Sequence, residues 1–214
     1  MKLTKENIKF IDTYLENSDV IHIDIRLEMI DHVASEIETI IAKGDERDFY
    51  YIFKEYMVDN KHKLLNNNKS FIKATDKQLV KSITLALLKW PSLLTFFSCI
   101  LLFTSLNMTT DISVLRSWVG ALPLIGFVVF GMYYLIQLMW FNLERFSALE
   151  RLGFIYAMGF NMFHFCWSFS NFNKAESNYA TYIVSSLALA LLVAMVLVVK
   201  RNVDEYQNRF KHLA

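Results

Sequence analysis

Glycine and proline are scarce in this sequence, at six and two of 214 residues. Tight turns and repeated bends lean on both, so their scarcity excludes a collagen-like or low-complexity disordered chain and argues against a many-turned all-β fold. Cysteine is as rare, and two residues cannot staple a disulfide scaffold. There is no excess of either charge. The 22 Lys and Arg nearly cancel the 21 Asp and Glu, so bulk charge gives no reason to expect a nucleic-acid partner. A signal-peptide pattern is also missing. The opening MKLTKENIKFIDTYLENSD is charged throughout and has no continuous apolar core, so the first hydrophobic span is expected to serve as its own anchor.

Apolar side chains are abundant. They make up 54% of the chain, and the mean hydropathy of +0.29 is high for a soluble domain. Charge is unevenly placed, with 13 of the Lys and Arg and 15 of the Asp and Glu in residues 1–81. Beyond them, windows 90–110, 117–143, 152–173 and 177–199 carry no charged residue. A bilayer core about 30 Å thick takes roughly 20 apolar residues of helix. A soluble helix must show a polar face to water, and SLALALLVAMVLVV has none. The expectation is an all-α integral membrane protein with four transmembrane helices, at about 90–110, 117–141, 152–171 and 179–199, within a bundle covering 90–200. Tryptophan and tyrosine near the span ends (Trp118, Tyr133, Tyr134, Trp140, Tyr182) suit the membrane interface.

Orientation follows from the short loops. Lys73, Lys77, Lys81 and Lys89 precede the first span, Arg145 and Arg151 lie between the second and third, and Lys200, Arg201, Arg209 and Lys211 follow the fourth. The other side holds only Arg116 and Lys174. The positive-inside rule then predicts that both termini are cytoplasmic, with residues 201–214 as a cytoplasmic tail.

Residues 1–66 read as a cytoplasmic three-helix domain. Thr4 caps a first helix to about Asn17 with Ile8, Ile11 and Leu15 on one stripe. A second helix, about Asp24 to Lys43, has Leu27, Ile30, Ala34, Ile37 and Ile41 at three- and four-residue spacing and stops at Gly44. A third, about Arg47 to Leu65, buries Phe49, Phe53, Tyr56, Met57 and Leu64. Asn66-Asn67-Asn68 is expected to break it and to cap a separate basic juxtamembrane helix over 67–89. There Lys69, Lys73, Lys77 and Lys81 recur every four residues, a spacing that suits anionic lipid headgroups and equally suits a solvated face. Pro91 can mark a bend into the first span.

Chemistry-bearing residues gather in two places. The second helix carries Asp24, Arg26, Glu28, Asp31 and His32 on its polar face, the expected surface for a protein partner or a second copy. A metal is not expected there. Di-metal bundles use Glu-x-x-His pairs from facing helices, whereas Glu28 and His32 are four apart and no other helix offers a match. Arg26 and His32 have the Arg-x4–6-His spacing of HEPN ribonucleases, but Leu27 stands where that family usually has a polar residue. In the third span, Ala157, Asn161, His164 and Ser168 share one face among aromatics, and an ionisable group at membrane depth invites a functional reading. No Asp or Glu lies in any span to complete a proton relay. The glycines of the second span, Gly120, Gly126 and Gly131, and the small residues Ser186, Ala190 and Ala194 of the fourth read as helix-packing points. No G-x-S-x-G, phosphate-cradling glycine loop or C-x-x-C occurs, so neither enzymatic activity nor a cofactor is expected.

The segments IKFIDTYLENSDVIHIDIRLEMIDHVASEIE and FYYIFKEYMVDNKHKLLNNNKSFIKATDK carry a resemblance, through Asp24-Ile25-Arg26, Glu28-Met29, Asp31-His32-Val33 and Tyr56-Met57. Over about residues 5–80 the chain resembles flavobacterial inner-membrane proteins of this layout. It is distantly similar to the small helical HAAS/DUF1700-type domains that precede membrane helices and are often encoded beside PadR-like regulators. The resemblance implies a regulatory or protein-binding module on a membrane anchor in a bacterial inner membrane. The alternatives are a small transporter or oligomeric pore, and a membrane accessory protein of a defence system.

Overall fold

The computed structural model describes residues 2–140, 146–172 and 178–209. Seven helices and no strand are present among them: α1 (Lys5–Glu16), α2 (Ile23–Ala42), α3 (Phe49–Leu87), α4 (Trp90–Leu106), α5 (Ile112–Trp140), α6 (Ser147–Phe172) and α7 (Asn178–Arg209). They form two compact units, the first comprising Met1–Asp76 with Glu144–Ser147 and the second Lys77–Leu143 with Ala148–Ala214.

The first unit is an amphipathic three-helix assembly. Thr4 Oγ1 accepts from the Asn7 amide at 3.2 Å and opens α1. Gly44, at φ +98°, closes α2 in a conformation that a β-carbon would strain. The core joins Ile11 and Leu15 of α1, Ile25, Met29, Ile30, Val33, Ala34 and Ile37 of α2, and Ile52, Phe53, Met57 and Leu64 of α3. The expected stripes lie on this core, with Leu27, Ile41, Phe49 and Tyr56 half-buried at its margin.

The expected break at Asn66-Asn67-Asn68 does not occur; α3 runs unbroken from Phe49 to Leu87. Asparagine is a weak helix former, at a cost of well under 1 kcal/mol each, not a breaker. The apolar stripe continues through the run, from Leu64 and Leu65 to Phe71 and Ile72, all packed on the first unit's core. Asn66 Nδ2 also pairs with His62 Nδ1 one turn back, at 3.1 Å. Packing of the stripe thus outweighs local propensity.

The second unit is built around α7, which packs against α4 and α5. Over its most apolar window α7 is 56% buried against 28% for α5, so α7 occupies the centre. Ser186, Ala190 and Ala194 are all buried, which places the small-residue face of α7 inside the unit. The α5 glycines are packing points as expected. A β-carbon at Gly120 would collide with the Trp167 ring, and one at Gly126 would lie 2.8 Å from Leu192 Cδ1. α5 and α6 also share a reciprocal clasp. Tyr134 Oη donates to the Leu149 carbonyl at 2.7 Å and lies against Gly153, while Tyr156 Oη donates to the Phe127 carbonyl at 2.9 Å and lies against Gly131. Both helices contribute the same Gly-x-x-Tyr spacing, 131–134 and 153–156, and the pairing requires them to run antiparallel.

The exterior of this second unit is apolar. Trp90, Phe97, Leu101, Val128, Met139, Phe154 and Phe165 are among the large side chains left exposed. α5 and residues Tyr179–Asn208 of α7 are each long and apolar enough to cross a membrane. The end of α3 and α4 meet that test only as a bent pair, turning at Leu88–Lys89 just before Pro91. α7 continues as helix to Arg209, with Asn202, Val203 and Tyr206 buried, so residues 201–209 extend the helix.

Candidate partner-binding site

The polar face of α2 divides once its neighbours are in place. Arg26 turns inward and is 9% exposed. Its Nε donates to Asp12 Oδ1 at 2.6 Å, and its Nη1 to Glu16 Oε1 at 3.3 Å and the Val20 carbonyl at 3.4 Å. Asp12 and Glu16, four apart on α1, form the receiving fork. Arg26 is therefore a clip between α1 and α2 and leaves the candidate contact surface. Its guanidinium is also committed away from the HEPN-like pairing that its spacing with His32 suggested. Asp24 is half-buried, and its carboxylate accepts from the main-chain N–H and hydroxyl of Ser147 in the same unit. Glu28, Asp31 and His32 remain exposed on α2. No group of three or more His, Cys, Asp or Glu side chains among the described residues is arranged to hold a metal ion.

A second surface lies between α1 and α3, which run parallel here. Phe10 and Tyr14 of α1 stand one turn apart on the flank of the buried stripe. Phe53 meets both edge-on, with ring centroids 5.2 and 5.1 Å away, and Tyr50 meets Phe10 at 6.0 Å. The rings wall a cleft of about 390 Å³ floored by Met57 and edged by Val58. Phe10 is 41% exposed, Tyr50 49% and Val58 75%, unusual for apolar side chains so close to a core. Two lysines of α3 complete the rim. Lys61 Nζ lies 5.3 Å from the centre of the Tyr14 ring, a cation–π contact, and Lys54 stands two turns earlier. Neither has a carboxylate partner among the described residues.

Sequence periodicity missed this cleft because it follows the stripe that is buried, and Phe10, Tyr14 and Tyr50 lie off it. The readable signal was the aromatic pair Phe10 and Tyr14 at four-residue spacing on α1, together with two lysines, Lys54 and Lys61, seven residues apart on α3.

The remaining expected sites lie elsewhere. On α6, Asn161 and His164 are exposed and Ser168 is half-buried. Asn161 Nδ2 donates to the Ala157 carbonyl at 2.7 Å, and His164 makes no side-chain hydrogen bond among the described residues. Lys73, Lys77 and Lys81 are exposed on α3, while the side chain of Lys69 lies outside the description, as do Arg145, Lys174 and Lys211. Cys99 and Cys166 are free thiols.

No family model, curated protein or solved structure matches the chain.

Proposed function

We propose that this chain is a non-enzymatic, multi-pass protein of a bacterial inner membrane, with α4 to α7 as four spans and both termini cytoplasmic. Its first unit docks a cytoplasmic regulatory protein, and the second unit fixes that complex at the bilayer. The observation that carries this reading is the contrast between the two units. One has an apolar core and a charged exterior. The other exposes tryptophan, phenylalanine and leucine over helices of bilayer length. Lys73, Lys77 and Lys81, exposed along α3, suit anionic headgroups beside the membrane.

The test is purification of the intact protein from its host in mild detergent, with the mass of the eluted particle measured in the same run. The expected outcome is a stoichiometric cytoplasmic protein that co-elutes. A partner-free homo-oligomer overturns the adaptor reading.

That second outcome would favour an oligomeric pore. The observation on its side is the outward position of Asn161 and His164, since polar groups facing lipid are costly and a neighbouring copy would satisfy them. The pore reading predicts solute flux in liposomes that falls on His164→Ala.

A further inference from the structure

We propose that the cleft between α1 and α3 receives one amphipathic helix of a cytoplasmic protein, carrying an apolar anchor between two carboxylates spaced two turns apart. This names the partner chemistry of the docking function proposed above and rests on it. The chemistry follows from the walls. Phe10, Tyr14 and Phe53 meet edge-to-face, so the cleft is already formed with nothing bound in it. Its volume of about 390 Å³ suits inserted side chains. Exposed Phe10, Tyr50 and Val58 would lose their contact with water on docking, which supplies the apolar driving force.

Charge selects the occupant. Lys54 and Lys61 are seven residues apart on one helix, about 10.5 Å along its axis. The same interval separates residues j and j+7 of a helix laid alongside, the register by which helices are read in grooves. Both ammonium groups lack carboxylate partners among the described residues, so an incoming pair of Glu or Asp side chains meets unneutralised charge. An anionic bilayer fits less well. It would press against a concave face it cannot fill.

The experiment uses the full chain in nanodiscs of zwitterionic lipid, probed by fluorescence anisotropy. The probe is a labelled helical peptide of about 20 residues with leucines between two glutamates seven positions apart. Its control is the same peptide with lysines for the glutamates. Wild type is expected to bind the acidic peptide, less tightly as salt rises, and to ignore the basic one. The exposed double variant Lys54→Glu/Lys61→Glu should lose about tenfold in affinity for the acidic peptide and gain it for the basic one, with unchanged helicity. Equal binding of both peptides, or of neither, overturns the proposal even if a native partner co-purifies. Charge-selective peptide binding without a native partner overturns the adaptor reading and leaves the cleft standing as a peptide site. A polarity-sensitive dye on Val58→Cys gives an independent check. A blue shift in anionic nanodiscs with no response to peptide assigns the face to the bilayer and overturns the proposal.

Discussion

At the scale of single residues, charged side chains in the first unit do two different jobs that spacing alone does not separate. Arg26 looked like part of a polar face because arginine on an amphipathic helix is normally solvated. Its burial becomes understandable only with α1 beside it, where Asp12 and Glu16 present a fork and the Val20 carbonyl adds a further acceptor. Removing one partner from a buried ion pair is worse than removing the charge altogether. Asp12→Ala should therefore destabilise the first unit by about 1–3 kcal/mol, and Arg26→Met by less. Hydrogen exchange at the α1 and α2 amides of the intact protein measures both, and the reverse order would show that Arg26 is held by packing alone. At the turn into α3, the Arg47 guanidinium grips both oxygens of Asp45 at 2.7–3.2 Å and reaches Glu55 at 2.7 Å. The side-chain hydrogen bond from Arg47 leads in lowering the Asp45 pKa, helped by the Arg47 main-chain N–H. A depressed carboxylate stabilises the fold above its unfolded pKa, and that contribution fades as pH falls through the folded value. The turn should thus hold at neutral pH and loosen only below the usual aspartate range. NMR titration of the Asp45 carboxyl should show a midpoint below that of a free aspartate, and a midpoint at the free value would remove the clip.

At the scale of elements, most helix starts and stops were readable, and the exceptions share one cause. Thr4, Gly44 and the stripes of α1 and α2 act within one turn of themselves, so neighbouring helices do not alter them. The Asn66-Asn67-Asn68 run was misread because weak local propensity is decided by what the rest of the helix packs against, here Phe71 and Ile72. The α5–α6 clasp was hidden for the same reason. Its two Gly-x-x-Tyr pairs stand in plain sight, but their meaning depends on two helices meeting antiparallel in one register. Each tyrosine needs the opposite glycine, because a β-carbon at Gly131 would lie 2.9 Å from Tyr156 Oη, and one at Gly153 equally close to Tyr134 Oη. Gly153→Ala should accordingly displace the Tyr134 hydrogen bond and cost about 1–3 kcal/mol of overpacking. Tyr134→Phe keeps the ring and loses only the hydroxyl, at about 0.5–1.5 kcal/mol. Thermal unfolding in detergent should rank the glycine change as the more harmful. The opposite ranking would mean that the hydrogen bond, and not the close approach, sets the α5–α6 distance.

At the scale of the whole molecule, helix length bears on the proposed topology. α5, α6 and α7 hold 29, 26 and 32 residues, and the shortest of them spans about 39 Å, enough for a core of about 30 Å. α4 has 17 residues and reaches only about 26 Å. It can cross only if the end of α3 joins it or the bilayer thins locally, since a shortfall of a few ångströms costs fractions of a kcal/mol per ångström. Of the three longer helices, only α5 and α7 are also apolar enough to cross a membrane, so the count of spans turns on α4 and α6. With α6 crossing as proposed, α4 sets the side on which each later loop emerges. If α4 crosses, Thr109 in the turn after it lies on the face opposite Ser35 of α2. If α4 only lies along the membrane, Thr109 and Ser35 share a side and the number of crossings becomes odd. A background with Cys99 and Cys166 changed to serine, carrying Ser35→Cys or Thr109→Cys, separates these cases. With a membrane-impermeant maleimide on intact spheroplasts, Thr109→Cys should label at once and Ser35→Cys only after lysis. Lys174→Cys should behave like Thr109→Cys, because α5 and α6 together return the chain to the side from which it left. Protection of Thr109→Cys until lysis would remove α4 from the spans. Positive-inside bias would then have to be met by three crossings, with Arg116 on the cytoplasmic side and the chain's two ends on opposite sides of the membrane.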